Sequence, residues 1–236
     1  MNKLKTILVS GFVAALSLSS IANAIEFRAG ITANTTVYYG NVTETVKDTG
    51  KKNSDEALAA FGYGSGFAEV AFDSIAGIAV GLEYVPDAIS LETTTRVIRS
   101  SLYASGGTPV GETTDGDIQD IRADVTDLNT IYIAIPIMDT GLSIKAGYMM
   151  GTLETKETLS TGSSYKDVDL DGRYLGGFYD GTLGDVMFYR IEGGYVLFDD
   201  ITATGTQEGV AASGSFNKIT AELGGVRGAF SIGARF

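Results

Sequence analysis

The chain has 236 residues, with 17 Lys and Arg against 29 Asp and Glu, for a formal net charge of −12, and it contains no Cys, no His and no Trp. This excludes disulfide and thiol chemistry, His-dependent triads and dyads, and metal sites built on His or Cys. The acidic balance also argues against nucleic-acid binding, which needs clustered Lys and Arg to neutralise phosphates.

The N-terminus reads as an export signal. Lys3 and Lys5 precede an apolar run from Thr6 to Leu18, and Ala22-Asn23-Ala24 fits the small-x-small cleavage rule. A cleaved signal peptide is expected over 1–24 and a single domain over 25–236. Losing Lys3 and Lys5 takes the charge from −12 to −14. The rest of the chain has no apolar run near the ~18 residues of a membrane helix.

From Ile25 the dominant period is two. Ile25, Phe27, Ala29, Ile31, Ala33, Thr35, Val37 and Tyr39 alternate with Glu26, Arg28, Gly30, Thr32, Asn34, Thr36 and Tyr38, as a two-faced strand requires. A second strand ends in AEVAFD, with Ala68, Val70 and Phe72 opposed to Glu69. Its earlier part, with Gly62, Gly64 and Gly66 opposed to Phe61, Tyr63 and Phe67, predicts a bulge near Gly66. IAGIAVGLEYV is the third strand, NTIYIAIPI the fourth, LSIKAGYMMG the fifth, YLGGFYDG the sixth and VMFYRIEGGYVLF the seventh. The eighth is NKITAELGGVRGAFSIGARF, where the apolar set passes from odd to even positions at Gly224-Gly225 and predicts a second bulge.

The connections alternate between long (42–60, 86–126, 154–172, 198–217) and short (73–76, 138–141, 180–185). Even strand number, short turns at one end and long loops at the other define the expected fold class: all-β, an eight-stranded antiparallel up-and-down transmembrane β-barrel. A soluble barrel would bury its apolar face. Here the opposite face carries Glu26, Arg28, Glu69, Glu83, Lys145, Arg190, Glu192, Lys218, Glu222, Arg227 and Arg235, with acids and bases nearly balanced. Ten strands would require 86–126 to fold back through lipid, which Glu92, Arg96 and Arg99 oppose.

The chain ends in FSIGARF, with Phe230, Ile232, Ala234 and Phe236 on one face. This resembles the closing strand of bacterial outer-membrane proteins, although Ala234 stands where that group often has an aromatic residue. The whole segment 25–236 resembles the small eight-stranded OmpX-like proteins and the OmpA transmembrane domain. The resemblance implies the outer membrane as location, with membrane lipid and lipopolysaccharide as surroundings. It also implies an assembly signal at Phe230, Ile232 and Phe236, read by the barrel-assembly machinery.

An eight-stranded barrel is about wide enough for side chains to fill, and inward charges there should pair. Glu26, Arg28, Glu69, Glu83, Lys145, Arg190, Glu192, Arg227 and Arg235 are the candidates for an interior network. Two readings remain open: a plug that closes the barrel, giving a structural or surface-interaction protein, or a narrow porin-like channel for small solutes. The inward glycines Gly30, Gly77, Gly81, Gly147 and Gly194 leave room for the second. No catalytic residue and no cofactor is expected. Phe27, Tyr39, Phe72, Tyr84 and Tyr148, with Tyr38 beside them, are candidates for aromatic girdles.

Residues 86–126 keep alternating at their flanks and read as a hairpin projecting from the membrane. It is either solvated or an edge for an extracellular protein partner. Asp167, Asp169 and Asp171 imitate the start of a calcium loop, but Phe178 stands where the bidentate Glu belongs. They offer a divalent cation site or a solvated acidic face.

Overall fold

A computed structural model describes residues 25–46, 51–90, 94–98, 101–103, 109–112, 117–158, 164–206 and 218–236. The expected leader, 1–24, lies outside the described residues. Eight long strands form the wall: β1 (Ile25–Val46), β2 (Lys51–Phe72), β3 (Ile78–Tyr84), β4 (Asp117–Pro136), β5 (Leu142–Thr158), β6 (Val168–Leu183), β7 (Met187–Phe198) and β8 (Lys218–Arg235). Each pairs antiparallel with the next, and β8 pairs back with β1 from Arg28↔Arg235 to Thr45↔Lys218. The sheet therefore closes on itself as a ring.

The ring is staggered. The pairing direction leads from Arg28 through Glu69, Gly81, Tyr132, Gly147, Tyr174, Val196 and Gly225 to Tyr38, ten residues further along β1. Such shear tilts the strands against the barrel axis. All these residues lie on the inner face, and glycines alternate with large side chains along the row. The Tyr132 ring fills the space where Gly81 lacks a Cβ, Tyr38 does the same over Gly225, and Thr130 lies closest to the bare position at Gly147. Tyr174 covers Gly194, and Phe67 covers Gly30. Gly30, Gly81, Gly147 and Gly194 are thus covered by neighbouring atoms rather than left as space. Gly77 lies in a turn at φ +74°, off the strand face altogether.

The outer face is apolar in a belt. On β6 the outward side chains Leu183, Tyr179 and Leu175 are exposed, and Arg173 follows. Leu183 to Arg173 spans about 33 Å of strand, or about 25 Å along the normal at the usual tilt, the height of a lipid-facing band. Tyr39, Tyr84, Tyr148 and Tyr195 face outward toward the long-loop rim, and Phe27, Phe72 and Phe236 toward the short-turn rim. Tyr38 faces inward instead, against Phe61 and Phe198 at ring-centroid distances of 6.2 and 5.8 Å. Phe27 and Phe236 exchange backbone hydrogen bonds of 2.8 and 3.1 Å, tying the chain end to β1.

Several expected boundaries move. The strands continue past the belt, so most of 42–60 and much of 154–172 is strand rather than loop. β6 runs through Asp180 to Leu183, leaving a turn at Gly184–Val186 in place of 180–185. Neither expected bulge exists: β1 keeps one register with β2 throughout and one with β8 throughout. The alternation changes because the interior changes. Near the short turns it is ionic. Toward the long loops it is an apolar cluster of Val85, Ile89, Leu128, Met149, Leu170, Tyr174, Val196, Phe198 and Ile201, joined by Phe61, Tyr63, Ala221 and Leu223. Ile219, Ala221 and Leu223 therefore point inward with no extra residue, and Lys218 and Glu222 point outward, against the sequence reading. The bulge that does occur lies in β4 between Thr126 and Asn129, with Asp127 at φ +52°.

β3 pairs with β2 up to Gly66↔Tyr84. Beyond it, Ile89–Ser90 and Thr94–Ile98 pair with β4, and Ser101–Tyr103 pairs with Pro109–Glu112. The chain thus forms a projecting hairpin, and the ring holds eight strands rather than ten. Glu92 and Arg99 lie outside the described residues.

The ring-over-glycine packing is testable. A Cβ at Gly81 meets the Tyr132 ring, whereas one at Gly228 on the outer face meets nothing within 4 Å. After refolding in detergent, Gly81→Leu should lose most of the heat-modifiable band on gels, and Gly228→Leu should keep it. Equal yields would contradict this packing.

Candidate functional site

The ionic part of the interior is built in two tiers. The lower tier centres on Arg190 of β7, which is 2% exposed. Its Nη1 and Nη2 donate to Glu69 of β2 at 3.0 and 2.8 Å, and its Nε and Nη2 donate to Asp180 of β6 at 2.7 and 2.9 Å. The planar guanidinium thus forks onto two carboxylates at once, a geometry Lys cannot supply. It also lies 3.7 Å from the Phe178 ring centroid, with Phe67 and Phe188 at 5.2 and 5.5 Å. Tyr132 donates its hydroxyl to Glu69 at 2.9 Å. Arg28 extends the tier toward the short-turn rim, bonding Glu26 and reaching Glu69 at 3.3 Å and Asp180 at 3.8 Å. Arg235, opposite Arg28 in the ladder, lies over Phe188 at 5.4 Å.

In the upper tier two bases share two carboxylates. Lys145 of β5 reaches Glu192 of β7 at 2.9 Å and Glu83 of β3 at 3.3 Å. Arg227 of β8 donates to Glu83 at 2.5 Å and lies 3.8 Å from Glu192. Side chains of β1 and β2 join the tier: Ser65 donates to Glu83 at 2.6 Å, and Asn34 bridges Arg227 at 3.0 Å and Ser65 at 2.8 Å. Thr32 and Ser231 share a hydrogen bond of 2.8 Å. The Lys145 ammonium sits 4.2 Å from the Tyr132 ring centroid. That ring therefore separates the tiers while touching both.

In the two tiers five acids (Glu26, Glu69, Glu83, Asp180, Glu192) stand with five bases (Arg28, Lys145, Arg190, Arg227, Arg235), while the buried Asp124 lies apart from them, paired with Lys156. The two tiers together carry no net charge, so the acidity of the chain lies outside them. This balance is what desolvation demands, because an unpaired charge at this depth costs several kcal/mol.

All nine residues expected in the network lie on the inner face, contributed by β1, β2, β3, β5, β7 and β8. Asp180 was missed because it was assigned to a turn. It stands directly opposite Arg190 in the ladder, and the alternation of Tyr174, Phe178 and Asp180 was the signal for it. Tyr132, Asn34 and Ser65 were missed as ordinary strand residues. Phe230, Ile232 and Phe236 are exposed on the outer face of β8 and at its end.

Asp167, Asp169 and Asp171 are not drawn together. Asp167 accepts a hydrogen bond from the Thr155 backbone, and Asp169 and Asp171 take same-face positions about 7 Å apart on β6. Among the described residues no group of three or more acids is arranged to hold a metal ion.

A closed ring of eight staggered strands, a tall apolar outer belt and a neutral ionic interior define the fold of a bacterial outer-membrane β-barrel. No protein-family model and no curated protein matches the sequence. Among solved structures, the chain is similar to the outer membrane protein OprG from Pseudomonas aeruginosa, with a TM-score of 0.52 at 10% identity over 90% of this chain and 96% of that one. The outer membrane protease OmpT from Escherichia coli aligns with a TM-score of 0.47 at 9% identity over 91% of this chain and 97% of that one. At these identities the likeness concerns the fold.

Replacing Arg190 by Met strands Glu69 and Asp180. Unfolding by urea in lipid vesicles should show a loss of about 3–5 kcal/mol, the usual consequence of breaking a buried pair from one side. Adding Glu69→Gln should recover part of it. A loss below about 1 kcal/mol, the range of a surface pair, would contradict the tier as described.

Proposed function

We propose that this chain is a closed structural barrel of the small OmpX-like or OmpA-transmembrane-domain-like kind, which presents an extracellular β-surface for interaction and has no catalytic role. The observation that carries this reading is the Arg190 node. It fills the lower bore with one guanidinium, two carboxylates and three aromatic rings. Above the upper tier the apolar cluster fills the remaining interior, which neither water nor ions would cross readily. The absence of His and Cys from the sequence supports a non-enzymatic role. The projecting hairpin, at Thr94–Ile98 against Asp117–Ile121, supports an outward-facing one, with an extended segment of another protein as the partner type.

A narrow channel is the second reading, favoured by the upper tier. Glu83 and Glu192 each face both Lys145 and Arg227, so the bases could exchange partners without leaving any charge alone. Planar-bilayer recording of Ile25–Phe236 separates the two. The closed reading expects no steady unitary conductance from the wild type and frequent openings from Arg190→Ala. Steady wild-type channels altered by Lys145→Met would replace it with the channel.

A further inference from the structure

The barrel wall is interrupted on one side. β2 pairs with β3 from Phe72↔Ile78 only to Gly66↔Tyr84, yet β2 continues to Lys51 against β1. From Tyr84 the chain passes through Pro86 and joins β4 at Ile89–Ser90. Among the described residues, no strand occupies the second edge of β2 between Ser65 and Lys51.

On the lipid side this notch has a floor without side chains. A Cβ on Gly64 would meet nothing within 4 Å, and one on Gly62 or Gly66 would meet a single backbone carbonyl at 3.7 or 3.8 Å. Ile31, Phe230 and Ile232 form one bank, and Tyr84 and Pro86 the other, around a groove of about 880 Å³. Its lower part is continuous with the lipid-facing belt. Its upper part passes Tyr84, where the β2–β3 ladder ends and no described strand takes its place.

Two surfaces therefore meet in one groove: apolar banks below, and above them an edge of β2 that no described strand pairs with. The polar side chains behind it, Asn34 and Ser65, are engaged with each other, Arg227 and Glu83, so they compete for nothing outside. Bare hydrocarbon suits the banks but not the edge. A docked strand suits the edge but would not fill the lipid-facing banks. A chain that ends in a hydrogen-bonding linkage suits both.

We propose that the notch between β2 and β3 holds one acyl chain of an outer-leaflet lipid. The chain lies against Ile31, Phe230 and Ile232, and its ester, amide or hydroxyl linkage lies along the free edge of β2. The lipid then completes the wall where the sheet stops and is a fixed part of the folded protein.

Native mass spectrometry of the mature protein, purified from outer membranes in mild detergent, counts retained phospholipid or lipopolysaccharide. Wild type and Gly228→Phe, whose ring projects from β8 outside the notch, should each retain one lipid. Gly64→Phe and Gly62→Phe should lose it while remaining heat-modifiable. A wild type without bound lipid, filled variants that bind as much as the wild type, or a retained peptide in place of a lipid would overturn the proposal.

Discussion

The structure depends on one guanidinium taken out of water. Arg190 is placed by β7 where Glu69 of β2 and Asp180 of β6 converge, with the Phe178 ring beneath it. A closed eight-stranded ring has too little bore to hydrate these groups, so each needs the other two. The stagger is what lets them meet: residues far apart along the chain come to one level only because the pairing row climbs ten residues per circuit. Strand register, closure and charge pairing are thus one constraint. A slip by one residue in any ladder would turn a paired charge toward lipid.

The second organising feature is the inversion of polarity along the axis. In the belt, outward means apolar and inward means ionic. Beyond the belt, strands of the same sheet stand in water and enclose an apolar core, as a soluble barrel does. This explains which parts of the fold were legible in the sequence. Period two in Ile25–Tyr39 or Leu142–Met150 fixed strand, face and neighbour type together, because lipid on one side and charge on the other leave no ambiguity. At Gly224–Gly225 and at Gly66 the same rule failed. Leu223 and Phe61 point inward by unbroken alternation, yet the apolar set changes sides. A bulge and a change of environment leave the same trace in one sequence, and only the ladder separates them. The nine inward charges were legible from face and chemistry. Their partners were not, because pairing across β2, β6 and β7 depends on shear, which no single strand encodes.

The glycines carry a related lesson. Read alone, an inward Gly is space. In the ladder, Gly81 stands beside Tyr132, and its missing side chain is the seat of that ring. Tyr132 thereby lies between the charged tiers, in contact with Glu69 and Lys145. The outward Gly62, Gly64 and Gly66 have no ring over them, and they lie where β2 loses β3. The inner wall is finished by the protein itself, and the outer wall is left open at the notch.

The central claim is that Arg190 is locked and dry. Solution NMR of the protein in lipid nanodiscs, with ¹⁵N-labelled arginine, observes the guanidinium protons directly, and Arg173, exposed beside Asp199 at the outer rim, provides the internal reference. The account predicts Arg190 Nε–H and Nη–H signals that are resolved from one another and exchange with water far more slowly than those of Arg173. Arg190 signals that are averaged and exchange as fast as those of Arg173 would show a hydrated, mobile guanidinium and an open interior.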